Sequence, residues 1–115
     1  MIAQYDTGGP NVPTLTDNQW ADSDDAASLV EAVITLNTTD QAMRFLRDLC
    51  TRRELEEMVS RWAVVRRLAT GTSYRAIHED TGVSTATITR INDWVRNGTG
   101  GYDEAMTRIG EKGPS

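Results

Sequence analysis

Residues 73–95 contain the pattern that most constrains the fold of this chain, two short amphipathic helices joined by a tight turn at residues 81–83. Gly82 can take the positive φ that ends the first helix. Ser84 can begin the second helix by accepting a backbone N–H with its hydroxyl oxygen. Two helices joined in this way are typical of proteins that place a helix in the major groove of DNA.

The apolar residues of this segment fall on one side of the two predicted helices. Ile77 lies on the inner face of the first helix, and Val83 fills the corner at the turn. The second helix carries Ile88, Ile91 and Val95 on a single face. An ordinary helical hairpin in a protein core has similar spacing and stays an alternative at this point.

The opposite side of the second predicted helix is small and polar. Such residues allow close approach to base edges and phosphates, which bulky apolar side chains would prevent. The outward positions are Thr85, Ala86, Thr89, Arg90 and Asp93. This face is therefore the candidate DNA-binding surface.

The charge of the chain is unevenly distributed. The net charge is −5, and residues 1–28 account for all of it, with five Asp and no Lys or Arg. Residues 61–98 carry a local positive excess, since three acidic residues face six arginines, Arg61, Arg66, Arg67, Arg75, Arg90 and Arg96. Phosphate contact requires such an excess, and its modest size predicts weak, salt-sensitive non-specific binding. A solvated helix face is the alternative explanation for any single arginine.

The remaining pattern is helical throughout. The length of the chain, 115 residues, predicts one domain, which we place at residues 23–110. We expect a disordered acidic tail at residues 1–22 and a disordered tail at residues 111–115. Caps and apolar stripes predict helices from about residue 23 to 36, over 39–50, from a capping box at Thr51 and Glu54 to residue 70, and over 102–109. With the two helices of the motif, the fold class is all-α with six helices.

Several classes of function are disfavoured. No apolar run approaches the roughly 18 residues of a membrane span, and the polar start does not resemble a signal peptide, so we expect a cytoplasmic protein. Cys50 is the single cysteine and is expected to pack as a small apolar residue. His78 has no second ligand at metal spacing, and no catalytic constellation is evident. We therefore expect no metal, no cofactor and no enzymatic activity.

The first two predicted helices and the last carry apolar stripes wider than one core of this size covers. A homodimer would bury them. A two-fold dimer also reads two half-sites about one DNA turn apart, which gives a single helix-turn-helix the specificity that it lacks alone.

The motifs resemble the Trp repressor superfamily, and within it the YerC/YecD-like branch. The resemblance covers about residues 28–109. It rests on Asp48, Leu49, Cys50 and Thr51 followed by Arg61, on the segment from Gly71 through Thr81 and Gly82 to Ala86, Thr87, Ile88, Thr89 and Arg90, and on Gly100, Gly101 and Tyr102. The resemblance implies an all-helical, intertwined homodimer that binds double-stranded DNA.

The resemblance also assigns candidate site residues. Arg75 matches a guanine-contacting arginine, and Thr85, Ala86 and Thr89 match groove-facing positions. With Ser84, Arg90 and Arg96 they form the predicted DNA-binding set. Thr51, Arg61, Thr87 and Arg90 match residues that surround the tryptophan corepressor, although salt bridges within the fold are an alternative role for the two arginines.

Two positions depart from the pattern of the family. Ile91 and Trp94 stand where the repressor has a glycine and a serine. We expect them to fill the cavity, so that the chain does not bind free tryptophan and either is constitutively active or responds to another ligand.

The predicted function is a sequence-specific DNA-binding transcriptional regulator, a repressor. The alternative is a protein-interaction module that keeps the fold without specific DNA readout.

Overall fold

The computed structural model describes residues 19–110. Within that range the chain forms a 3₁₀ turn at Gln19–Ala21 and no strand. The six α-helices are α1 (Asp24–Ile34), α2 (Thr39–Leu49), α3 (Arg52–Ala69), α4 (Tyr74–Thr81), α5 (Thr85–Asn97) and α6 (Gly101–Arg108). The prediction of an all-α chain with six helices is confirmed.

The two predicted tails fall largely outside the described residues. This applies to residues 1–18 of the acidic tail and to residues 111–115. Residues 19–22, at the end of the predicted tail, include the 3₁₀ turn, which contacts α1. The domain limits at 23 and 110 stay predictions.

Hydroxyl side chains begin most of the helices. Ser23, Thr38, Ser73 and Ser84 each accept the backbone N–H of the residue three positions later, at 3.0 to 3.2 Å. Such caps satisfy backbone donors that have no partner within the helix. The starts of these four helices therefore coincide with local capping residues that the sequence identifies.

The predicted capping box at the start of α3 is confirmed. The backbone N–H of Thr51 donates to Oε1 of Glu54 at 2.8 Å, and the backbone N–H of Glu54 donates to Oγ1 of Thr51 at 3.0 Å. The helix ends in a Schellman motif, in which Gly71 has a φ of 80° and the N–H of Thr72 donates to the carbonyl oxygen of Arg67 at 3.0 Å. Both ends of the longest described helix thus follow from local sequence.

The end of α1 differs from the predicted one by two residues, and several other helix ends differ by one residue. The apolar pattern of α1 continues to Leu36, but the helix ends at Ile34. The hydroxyl of Thr35 donates to the carbonyl oxygen of Ala32 at 2.7 Å, a local bond that competes with continuation of the helix. At its start, α6 includes Gly101, one residue earlier than predicted.

The described residues divide into two compact units, which we call the N-terminal unit (residues 19–62) and the C-terminal unit (residues 63–110). The C-terminal unit contains every buried large apolar side chain of the described residues, namely Val64, Val65, Ile77, Ile88, Ile91 and Met106. In the N-terminal unit, neither α1 nor α2 has a buried residue. The packed core of the described chain therefore belongs to the unit that contains α4 and α5.

Candidate nucleic-acid interface

The turn between α4 and α5 has the geometry that its sequence predicts. Gly82 ends α4 with a φ of 77° and donates its N–H to the carbonyl oxygen of His78 at 2.8 Å. Most side chains are strained at such a φ, whereas glycine is not. Ser84 then caps α5. The two helices of the motif are in contact, and together they form a helix-turn-helix.

The inner and outer faces of α5 separate as the helical period predicts over residues 85–91, whereas Asp93, predicted to face outward, and Val95, predicted to face inward, are both half-buried. Ile88 is fully buried and Ile91 is 5% exposed. Thr85, Ala86 and Thr89 are exposed. No large side chain stands among these three positions, so the outer face can approach a surface closely.

Hydrogen bonds within α5 determine which donors and acceptors on its outer face remain for a ligand. The hydroxyl of Thr89 donates to the carbonyl oxygen of Thr85 at 3.0 Å. Its hydrogen is therefore in use, and the oxygen is left with a lone pair for an external donor. Ala86 and the methyl groups of the threonines add small apolar surface.

A small polar network lies at the start of α5. Thr87 accepts from the hydroxyl of Ser84 at 3.1 Å and from Nη2 of Arg90 at 3.3 Å. The side chain of Arg90 is thus held along the first turns of the helix. Within its own unit of the described chain, neither Arg61 nor Arg90 forms an ion pair. Salt bridges within the fold stay an alternative role for both arginines.

Exposed arginines lie on both helices of the motif. Arg75 is in the first turn of α4, with its side chain 88% exposed, and Nε lies 3.5 Å from Oε2 of Glu79. Exposed ion pairs of this kind contribute little free energy, so the guanidinium is available to another anion at small cost. Arg96 is exposed in the last turn of α5.

The predicted ligand-pocket residues are distributed over both units. Thr51 and Arg61 belong to the N-terminal unit, where the hydroxyl of Thr51 takes part in the capping box and Arg61 is exposed. Thr87 and Arg90 belong to the C-terminal unit. Their grouping around a ligand stays a prediction.

The two residues that depart from the family pattern differ in burial. Ile91 belongs to the buried core. Trp94 is 47% exposed, and its ring lies close enough to Gly98 that a Cβ on that glycine would be 3.4 Å from Cε3. The same Cβ would overlap the backbone carbonyl oxygen of Trp94, which explains the glycine at this position.

Two contacts of α4 are absent from the sequence-based prediction. Arg67 of α3 lies 3.4 Å from Asp80 of α4 through Nε and Oδ2, and its Nη1 donates to the carbonyl oxygen of Ala63. His78 places Nδ1 2.8 Å from the carbonyl oxygen of Val83, beyond the turn. In the sequence, the contact between His78 and Val83 is indicated by one feature, the position of His78 one turn before Gly82. In the described residues no group of three or more His, Cys, Asp or Glu side chains is arranged to hold a metal ion.

None of the helices in residues 19–110 is long and apolar enough to cross a membrane.

Comparison with known proteins agrees with the resemblance found in the sequence. The family model described as Trp repressor protein matches residues 24–110. The uncharacterized protein YerC of Bacillus subtilis (strain 168) is 35% identical over 83 residues, which are 72% of this chain and 80% of that protein.

Solved structures share the fold. A TrpR like protein from Eubacterium eligens ATCC 27750 has a TM-score of 0.78 at 33% identity, covering 84% of this chain and 100% of its own. A structure from Staphylococcus aureus has the same TM-score of 0.78 at 26% identity, covering 84% of this chain and 97% of that one. The chain belongs to the Trp repressor family, a family of helix-turn-helix regulators rather than enzymes.

Proposed function

We propose that this protein is a transcriptional repressor that binds double-stranded DNA sequence-specifically as a homodimer. The observation that carries the proposal is the outer face of α5. Thr85, Ala86 and Thr89 are exposed there, with Ile88 and Ile91 buried behind them and exposed arginines on either side. A small polar helix face flanked by cations suits insertion into the major groove.

The proposed contacts divide by chemistry. Arg75 has the donor geometry for a bidentate contact with the O6 and N7 of a guanine. Thr85, Ala86 and Thr89 are small enough to meet base edges and thymine methyl groups. The proposed phosphate contacts are made by Ser84 at the start of α5, by Arg90 within it and by Arg96 near its end.

The proposed homodimer is supported by exposed apolar surface in the N-terminal unit. Nine large apolar side chains of this unit are exposed, among them Ile34 at 73% and Val59 at 68%. Apolar area on this scale is costly in water and marks an interaction surface. A second copy of the chain is the proposed occupant because α1 and α2 have no buried residue of their own.

The homodimer is further proposed to bind DNA without free tryptophan. Ile91 and Trp94 add bulk where the family pattern has a glycine and a serine, and Ile91 already contributes to the core. The account predicts no heat of tryptophan binding in calorimetry of the full chain. A saturable heat at one site per chain would contradict this part of the proposal.

Selection from a randomised DNA pool tests the proposed function. Purified full-length protein is incubated with the pool at moderate salt, with and without added tryptophan, and the retained sequences are read. The expected result is one enriched, two-fold symmetric site, identical in both arms. No enrichment in either arm would contradict sequence-specific binding and favour the protein-interaction alternative, whereas enrichment only with tryptophan would contradict the filled pocket.

Salt dependence separates specific binding from simple attraction of charge. Binding to the enriched site weakens as salt rises, because phosphate contacts release counterions. The ratio of affinities for the enriched site and for random DNA is the informative quantity. We expect this ratio to persist at salt concentrations that abolish binding to random DNA.

A further inference from the structure

His78 is the single histidine of the chain and is exposed in the last turn of α4. Its Nδ1 lies 2.8 Å from the carbonyl oxygen of Val83, across the turn that precedes α5. A carbonyl oxygen can only accept a hydrogen bond, so Nδ1 must carry the hydrogen and donate it. The contact therefore assigns the Nδ1–H form of the ring.

The other bonds of the turn do not reach this carbonyl group. The N–H of Gly82 donates to the carbonyl oxygen of His78 at 2.8 Å, and the N–H of Val83 donates to Oγ1 of Thr81 at 3.1 Å. The hydroxyl of Thr81 in turn donates to the carbonyl oxygen of Ile77 at 2.7 Å. These bonds hold the end of α4 and the near side of the turn. Among the hydrogen bonds described for residues 77–84, the bond from the ring of His78 is the one that reaches the carbonyl oxygen of the peptide leading into Ser84.

The peptide between Val83 and Ser84 leads directly into α5. Ser84 is the N-cap of α5, and the proposed base-contacting residues Thr85 and Ala86 follow it directly. The buried Ile88 and Ile91 hold the middle of the helix, whereas a rotation of this peptide would shift the first turn of α5 relative to Arg75 on α4. If α4 and α5 both contact DNA, their relative position and orientation must stay constant.

We infer that His78 is a positioning residue for DNA recognition, which holds the first turn of α5 in place through its bond to Val83. The inference deepens the proposed function and rests on it. Because the ring is exposed, its removal takes little apolar surface from the core, and the main effect falls on specificity rather than on folding. Affinity for random DNA, which depends on charge, is expected to change little.

Two amides make a matched test. The side-chain nitrogen of asparagine occupies the position of Nδ1, whereas that of glutamine lies one bond further, at the position of Nε2. His78→Asn can therefore keep the bond to Val83, and His78→Gln cannot keep it in the same geometry. Helix propensity favours glutamine over asparagine, so a role limited to helix stability predicts the opposite order.

The readout is the ratio of affinities for the selected site and for random DNA, measured with full-length protein. His78→Gln and His78→Ala are expected to lower this ratio about five- to tenfold, the effect of one lost hydrogen bond, and His78→Asn to stay within about twofold of the original chain. All three variants within twofold, or His78→Asn as impaired as His78→Ala, would overturn the inference. If the original chain selects no site, the proposed function fails instead.

A second measurement does not depend on DNA. Nitrogen-15 NMR of the unbound protein, with the ring of His78 neutral, distinguishes the two neutral forms of an imidazole. The inference requires hydrogen on Nδ1 of His78. A spectrum with the hydrogen on Nε2 would overturn it, whatever the DNA measurements give.

Discussion

The two units of the described chain contrast in how they treat apolar side chains. The C-terminal unit buries Ile77, Ile88, Met106 and three further residues, while the N-terminal unit buries no large apolar side chain. The N-terminal unit instead exposes nine large apolar residues, against two, Trp94 and Ile109, in the C-terminal unit. One unit thus packs its own core, and the other presents apolar surface that in our proposal is covered by a second copy of the chain.

In our proposal, this contrast divides DNA binding and dimerisation between the two units. The helix-turn-helix needs rigid support, because base contacts depend on the placement of a few side chains. Val64, Val65 and the buried face of α5 supply that support within the C-terminal unit. The N-terminal unit offers apolar surface instead, and in our proposal that surface brings a second helix-turn-helix to the DNA.

The largest expected effect concerns the core of the C-terminal unit. Ile88→Ala is expected to lower the free energy of unfolding by about 2–5 kcal/mol, because Ile88 is fully buried and its truncation leaves a cavity. Ile88→Val is the matched control and should cost about 0.5–1.5 kcal/mol. Chemical denaturation measures both. Equal, small losses for the two variants would show that this unit does not depend on its own core.

The second prediction concerns the exposed apolar surface of α1. Val33→Glu places a charge on a side chain that is 51% exposed in the single chain. If a second copy covers this surface, the dimer dissociation constant should rise at least ~100-fold, since a buried unpaired charge is costly. Light scattering after size-exclusion chromatography, over a series of protein concentrations, measures the molar mass from which this dissociation constant follows. Asn97→Glu adds the same charge at an exposed polar position and should leave the mass unchanged; a dimeric Val33→Glu variant would refute the proposed interface.

The third prediction sharpens the role of the C-terminal unit in DNA binding. Arg75→Ala is expected to weaken binding to the selected site by about 1–3 kcal/mol and to relax specificity at one base pair. Arg108→Ala is the matched control because Arg108 is also exposed and paired with a glutamate one turn away, at 3.6 Å compared with 3.5 Å for Arg75. Fluorescence anisotropy measures both. Equal losses on selected and random DNA would make Arg75 a phosphate contact instead.

The smallest effects concern helix ends in the N-terminal unit. Thr51→Ala removes one side of the capping box and should cost about 1 kcal/mol of stability. Arg52→Ala removes an adjacent exposed ion pair with Glu56 and should change stability by less than about 0.5 kcal/mol. Thermal unfolding distinguishes the two. The reverse order would mean that the α3 start is held by charge rather than by its cap.

Much of the fold was predictable because helix starts are coded locally. Ser23, Thr38, Thr51 and Ser84 cap helices with their own hydroxyl groups, and no distant residue is needed for the assignment. The buried face of α5 follows from the helical period in the same way. The end of α1 was less predictable, since the side chain of Thr35 competes with the apolar pattern that continues beyond it.

The exposed residues of the candidate site were predictable from the sequence, but the side-chain contacts that hold α4 were not. Exposure of Thr85 and Thr89 follows from the position of Ile88 on the same helix. The pair formed by Arg67 and Asp80 depends on how α3 meets α4, and no local pattern encodes it. The bond from His78 to Val83 likewise depends on the path of the chain through the turn.

In our proposal, two copies of this chain act together on one DNA site. Native mass spectrometry of the full-length protein, alone and with the selected duplex, counts the chains in each species. We expect a mass of two chains in the free protein and two chains per duplex in the complex. A single chain in the free protein, or one chain bound per symmetric site, would contradict it.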